Sequence, residues 1–353
     1  MTRAVDVASR ELPPNTALGV RNLIINGDMR IDQRGNLPLT NSTDEGDIWL
    51  VDRFKSRMFY ATGAVDMSYE QRSDGLIKLT SNFNADMASG SNNWFRVMTA
   101  LEQREANYVA GKTITVSFDF ESNISGNFSV GITLGTGAGA ATNKDYASLF
   151  SYTTGAVQRI TKTITIPDSV PQNGGLNDVG LLLYLAGVAD TTYGQYVITP
   201  DTWGNTNGWV ATGTTNWIQS GNWIALGNVQ LEVGEEATEF EHRPYDMELA
   251  RCQRYYEILN LRSYGFWTGA SELRIFPAYK AQKRSNYGVR LLTTTPYAEY
   301  PNVAGVTGSG STIVSAATNM LDGGDIRVNG FSGRSLGQPA FLNYNTLEID
   351  AEL

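Results

Sequence analysis

His242 and Cys252 are the only histidine and cysteine in this chain of 353 residues, and Glu232, Glu235, Glu236, Glu239 and Glu241 lie just ahead of them. A cysteine nucleophile needs a neighbouring base and a depressed pKa, and the base needs a group that orients it. Nothing in the local sequence orients His242, which is followed by Arg243-Pro244. Cys252 falls with Leu249, Tyr256 and Leu259 at spacings of three, four and three, one apolar stripe of a helix, so it reads as a small buried thiol. A lone histidine and a lone cysteine are too few for a zinc site. The glutamates have the chemistry of general acids or calcium ligands; the plainer reading is a strand end, a turn at Val233-Gly234-Glu235 and solvated edge carboxylates. The sequence has no EF-hand loop, P-loop or G-x-S-x-G elbow. We therefore read the chain as non-enzymatic, with no cofactor implied and calcium left open.

Aromatic residues offer the other chemistry. Trp203, Trp209, Trp217 and Trp223 crowd DTWGNTNGWVATGTTNWIQSGNW. An indole face takes sugar C–H groups while amides pair the hydroxyls. Trp203 and Trp209, with Asn205 and Asn207 between them, are the expected exposed sugar platform. Trp223 alternates with Ala225 into a strand and is expected in the core. The competing role for the cluster is core or subunit contact. Tyr297 and Tyr300, on a proline-bounded loop in TTTPYAEYPNV, form a second candidate platform. Trp267 is expected to pack against the helix, and the glycine-dense stretch 133–141 reads as a flexible loop.

The elements that must position these residues are mostly strands. Charged residues make up 18% of the chain, and Gly, Asn, Thr and Ser abound, a mixture suited to short strands and many turns. NLIIN, GKTITVSFDF, FSVGITL, ITKTITIP, VGLLLYLAG, YGQYVI and WIALGNVQLEV are strand-like, and GKTITVSFDF puts Ile114, Val116 and Phe118 on a core face with threonine and serine toward water. These predict an all-β antiparallel sandwich. Residues 1–22 are polar, contain Pro13-Pro14 and read as an extended arm. DMELARCQRYYEIL is the helical exception, N-capped by Asp246 and running to Leu259; further strands follow from about Leu261. The net charge of −9 and the pI near 4.8 argue against nucleic acid as a partner. One cysteine makes no intrachain disulfide, the N-terminal stretch lacks the apolar core of a secretory signal, and VGLLLYLAGVA is too short to span a bilayer as a helix. A protein made in a reducing cytoplasm, without membrane insertion, is expected.

NLIINGDMRIDQRGN (22–36), VDRFK (51–55) and GNVQLEVGEEATEFEHRPYDMELARCQRYYE (227–257) resemble bacteriophage virion proteins of the tail-fibre or receptor-binding type. The resemblance implies a carbohydrate-binding-module-like jelly roll over 23–245, a linking helix over 246–260 and a smaller C-terminal β domain over 261–353. Gln230–Val233 would be the last jelly-roll strand, Phe240 would tuck in behind it, and Asp52 and Arg53 would form a structural ion pair. The resemblance also implies a homotrimer in the virion, tail more than capsid, docked to other virion proteins by the 1–22 arm and attached to host-surface glycan. A capsid decoration or head-fibre protein is the alternative, and a glycan-cleaving tailspike the second.

Overall fold

A computed structural model describes residues 21–352 apart from 44–45, 62, 88–91, 136–142, 173, 192–195, 285–287, 293–296, 301–302, 308–312, 321–322, 330 and 332–335. The arm, up to residue 20, and most of the glycine-dense stretch lie outside the described residues. The chain divides into two compact units that meet in sequence between Arg243 and Pro244. Among the described residues no helix is long and apolar enough to cross a membrane.

The first unit is a jelly-roll sandwich of two antiparallel sheets. One runs β1 (Leu39–Ser42), β4 (Met67–Gln71), β5 (Ile77–Ser81), β14 (Trp223–Val233), β7 (Thr113–Ser122), β10 (Gln158–Thr165). The other runs β2 (Asp47–Val51), β3 (Phe54–Phe59), β6 (Trp94–Glu102), β11 (Val179–Ala189), β8 (Gly126–Leu134), β9 (Lys144–Tyr152). Period two makes the core: Ile114, Val116, Phe118 and Phe120 of β7 are fully buried. Phe118 and Phe120 meet Phe150 of the facing sheet edge-on at 5.5 and 5.1 Å, and Phe120 lies 4.8 Å from Phe128. The opposite face of β7 is drier than its threonines and serines suggested. Thr115 and Ser117 are buried because the Thr115 hydroxyl donates to the Gly234 carbonyl (2.8 Å) and Ser117 accepts from Arg159 (2.8 Å).

Three local expectations need correction. NLIIN is a buried turn segment and not a strand. Its backbone is satisfied by side chains: Asn26 amide oxygen accepts from Ile31 N, and its nitrogen donates to the carbonyls of Ile31 and Asp52. Asn22, assigned to the arm, is 1% exposed; its amide donates to Val229 O (3.0 Å) and accepts from Ile24 N (2.9 Å) and Leu231 N (3.0 Å). A helix, α1 (Gln103–Val109), follows β6 unforeseen, burying Gln103, Glu105, Ala106 and Val109. VDRFK is the turn between β2 and β3, with Arg53 at φ +71. Asp52 accepts from Gln33 N and Gln33 Nε2 and lies 3.7 Å from Arg34, while Arg53 donates to Ala100 O at 2.7 Å; both are structural.

The second unit begins with α2 (Tyr245–Gln253), which has Pro244 and not Asp246 at its N-cap. The helix ends six residues short of Leu259. Tyr256 and Leu259 belong instead to β15 (Tyr256–Trp267), which pairs antiparallel with β22 (Pro339–Asp350). The expected stripe is therefore broken: Cys252 is buried on the helix, Leu249 is half-buried, and period two sends Tyr256 and Leu259 to opposite faces of a sheet. The run YYEILNL suits either structure locally, and a partner strand matched from Tyr256 onward decides it. The sheet order is β19 (Val303–Thr307), β18 (Tyr297–Tyr300), β22, β15, β16 (Leu273–Ile275), β21 (Gly323–Val328), β20 (Ile313–Met320), with β17 (Gly288–Leu291) also on β22. Leu259, Leu273, Ile275, Ile326, Val328, Leu347 and Ile349 form its core. Trp267, expected against the helix, packs edge-on to Phe331 at 4.9 Å.

Candidate functional site

The outer face of the second jelly-roll sheet collects the chemistry. Register sets Arg57 opposite Arg96 and Phe59 opposite Trp94 on β3 and β6. Lys55, Arg57, Phe59, Trp94, Arg96 and Met98 therefore share the outer face, while Phe54, Met58, Phe95 and Val97 enter the core. The tryptophan-rich segment folds back over the other half of this face. Its two short strands, β12 (Val197–Ile198) and β13 (Val210–Ala211), pair in parallel, and Ala211 N donates to Ser129 Oγ of β8 (3.0 Å).

Trp209 is the plug under this segment. Expected to be exposed, it is 3% exposed and sits between Trp94 (5.9 Å) and Tyr184 (5.2 Å). Glycine makes the room: a Cβ on Gly131 would come within 2.2 Å of the Trp209 carbonyl, and one on Gly187 within 2.7 Å of its ring. A ring so enclosed offers no face to a sugar arriving from solvent. Trp217 is likewise core, donating to Ala186 O. Trp223, expected in the core, is half-buried on the outer face of the first sheet, with Lys78 5.3 Å and Arg72 6.0 Å over its ring.

Trp203, Asn205 and Asn207 stay at the surface. The Trp203 ring is half-buried and fixed on two sides: Nε1 donates to Thr165 O (2.9 Å), and the ring leans on Tyr146 at 5.2 Å. Asn205 is exposed, and Asn207 accepts from Asn143 through its side chain. Asp145 anchors the loop from below. Buried in β9, it accepts from Thr133 Oγ1 (2.8 Å) and Asn207 N (2.7 Å), and its backbone bridges Gly204 in both directions. Burial pushes its carboxyl above the usual range against the pull of those hydrogen bonds. Burial and the hydrogen bond to Asp201 raise the Tyr146 phenol in the same way. These groups hold a loop rigid, and nothing in their arrangement places a base beside a nucleophile.

The remaining sequence candidates separate. Tyr297 and Tyr300 bound β18, whose backbone pairs with β19 and β22, so the stretch is a sheet strand and not a projecting loop. His242 is exposed and meets Phe240 edge-on at 5.0 Å, and Cys252 is fully buried. Two of the five glutamates are not solvated edge groups. Glu232, 4% exposed, accepts from Gln230 Nε2, Thr238 N and Thr238 Oγ1, and Glu241 accepts from Asn22 N and lies 3.3 Å from Arg243. Both tie down the chain as it leaves β14. Among the described residues no group of three or more His, Cys, Asp or Glu side chains is placed to hold a metal ion.

Sequence reasoning missed two surfaces. In the second unit, Tyr264 (79% exposed) and Phe276 (48%) line an open cleft of about 540 Å³ with Asn260 and Ser263. In the first, the outer face of β2 and β3 carries exposed Arg57 and Phe59 with half-buried Trp49 and Lys55, beside the buried outer residues of β6. The alternations K-x-R-x-F from Lys55 and W-x-R-x-M from Trp94 carry the signal of strands with cations on one face.

No protein-family model matches the chain, and no curated protein matches it in sequence. Solved structures resemble it distantly. A CBM4 module is 16% identical over 59% of this chain and 98% of its own, with a TM-score of 0.29. TmCBM61 in complex with beta-1,4-galactotriose is 9% identical over 61% and 99%, with a TM-score of 0.29. The enzymatically active domain of tailspike protein 4 of bacteriophage CBA120 is 10% identical over 60% of this chain and 21% of that one, with a TM-score of 0.31. Similarity at this level transfers no ligand and no activity.

Proposed function

We propose that the chain is a non-enzymatic, glycan-binding attachment subunit of a bacteriophage virion, of the tail-fibre or receptor-binding kind. The observation that carries the binding reading is the Trp203 rim: a half-buried indole locked by Thr165 and Tyr146 beside exposed Asn205 and partly exposed Asn207. A rigid aromatic face flanked by amides binds a sugar ring without first ordering a loop. The virion role rests on the motif resemblance at 22–36, 51–55 and 227–257. One shallow site reaches about millimolar affinity, near −4 kcal/mol. A homotrimer docked to other virion proteins through the N-terminal arm would add roughly two to four powers of ten by effective concentration.

The test is Trp203→Ala with Asn205→Ala, set against Trp209→Ala as a structural control. The pair is expected to lower the melting temperature, because Trp203 packs on the core, while keeping one cooperative transition, and to lower adsorption to host cells at least tenfold. Normal adsorption by that folded double variant overturns the rim as receptor site and moves the capsid-decoration reading ahead.

A further inference from the structure

We infer that the exposed edge of the outer face, at Arg57 and Phe59 and backed by Arg96 and buried Trp94, is a separate subsite for an acidic saccharide, a sugar bearing carboxylate or sulfate. The inference rests on the glycan-binding reading and adds a ligand class and a second place for it.

The first ground is charge. Arg57 and Arg96 lie directly opposite each other on antiparallel strands. Like charges in that position repel. Among the described residues the carboxylate that reaches this row is Asp47, 3.7 Å from Arg57 and already shared with Lys55 at 3.0 Å. Asp145, further along the sheet, is occupied by Thr133 and the Asn207 amide. A row of cations on a chain of net charge −9 is out of keeping with its average surface. The patch is also too small and isolated to follow a nucleic-acid backbone.

The second ground is geometry. Arg96 lies beside Trp94 (4.8 Å), Tyr184 (5.4 Å) and Trp209 (5.5 Å), so its guanidinium is lodged among rings, and among the described residues its buried Nε finds no hydrogen-bond partner. Arg57 lies 5.7 Å over Trp94 with its side chain 46% exposed. An exposed guanidinium beside a ring presents N–H groups to a planar anion, which it binds in a fork. Phe59, 37% exposed and stacked on Trp94 at 6.3 Å, sets an apolar ring beside those edges. Cation–π packing accounts for the fixed pose of Arg96. It leaves the exposed Phe59 ring without a role, and the 3.7 Å pairing with Asp47 engages only the Nε side of Arg57. An acidic pyranose fits both, with its C–H face on Phe59 and its acid group on the guanidinium.

The experiment is calorimetric titration of the full chain with oligogalacturonate, with sulfated chondroitin oligosaccharide and with neutral galactotriose, each at low and high salt. One of the acidic oligomers is expected to bind at least tenfold more tightly than the neutral one, with the preference shrinking in high salt. Arg57→Gln is expected to remove that preference by about tenfold, leaving neutral binding intact. Phe59→Ala is expected to weaken the acidic oligomer several-fold. Trp203→Ala is expected to spare it. Both substituted side chains are exposed, and Arg57→Lys, which keeps the charge but not the fork, is expected to recover only part of the preference. Equal binding of acidic and neutral oligomers, or an Arg57→Gln protein with its preference intact, overturns the subsite while the Trp203 reading stands. Full competition by inorganic sulfate with no effect of Phe59→Ala reduces it to an ion site and overturns the saccharide. Failure of both acidic oligomers to bind overturns the subsite, and host-cell adsorption decides the Trp203 reading separately.

Discussion

Asn22 carries more structure than its place after a polar arm suggests. Three backbone groups, on Ile24, Val229 and Leu231, end on its side chain in a site 1% exposed to solvent. Removing that side chain leaves each of them buried without its partner, at about 1–3 kcal/mol apiece before relaxation. Asn22→Ala is therefore expected to cost roughly 3 kcal/mol or more. Urea unfolding of the first unit's transition checks it, and a loss under roughly 1 kcal/mol would mean water replaces the amide. The same logic separates the tryptophans, whose identity alone does not place them. Trp209 and Trp217 are enclosed, whereas Trp203 and Trp223 keep a face at the surface.

The consequential disagreement between pattern and fold at the scale of elements is the passage from α2 into β15. A continuous helix would bury Leu249, Cys252, Tyr256 and Leu259 together. In the strand, Tyr256 is 2% exposed and stands opposite Asp350, whereas Leu249 remains on the helix and half-buried. Tyr256→Ala is expected to cost about 3 kcal/mol and Leu249→Ala under about 1.5 kcal/mol. Denaturant midpoints of the two variants provide the comparison, and equal losses would restore the helical stripe. The covered half of the outer face depends on a small element in the same way. Two-residue strands β12 and β13 could not persist alone, and Trp209 beneath them supplies the burial that keeps them in place.

Across the whole molecule, the first unit is closed before the arm is counted. Arg21 N and Asn22 N donate to the Glu241 carboxylate, and Leu23 N pairs with Leu231 O, so the entering chain is bound to the segment that leaves. Deleting residues 1–20 is thus expected to leave the melting temperature within roughly 2 °C and to abolish incorporation into particles. Calorimetry of the purified deletion and its recovery in assembled virions test the two halves of that expectation. Normal incorporation would move the anchor into the β units.

What the sequence by itself determined is what depends on short-range pattern. Alternation marked β7, strand-like segments marked β8, β10, β11 and β14, and composition pointed to an all-β sandwich. Turn-like and edge residues were harder, because their backbone is satisfied by distant groups: NLIIN is apolar enough for a strand, yet Asn22 and Asn26 hold it as a turn. Only the tertiary structure decided which aromatics face water. That choice depends on glycines at 131 and 187 admitting Trp209 and on a covering segment whose Ala211, 82 residues beyond Ser129, pairs with it. It also brought Arg57 and Arg96 opposite each other, a pairing set by register between strands that the sequence separates. Burial and cross-strand register are properties of the assembled sheets, and no local spacing encodes them.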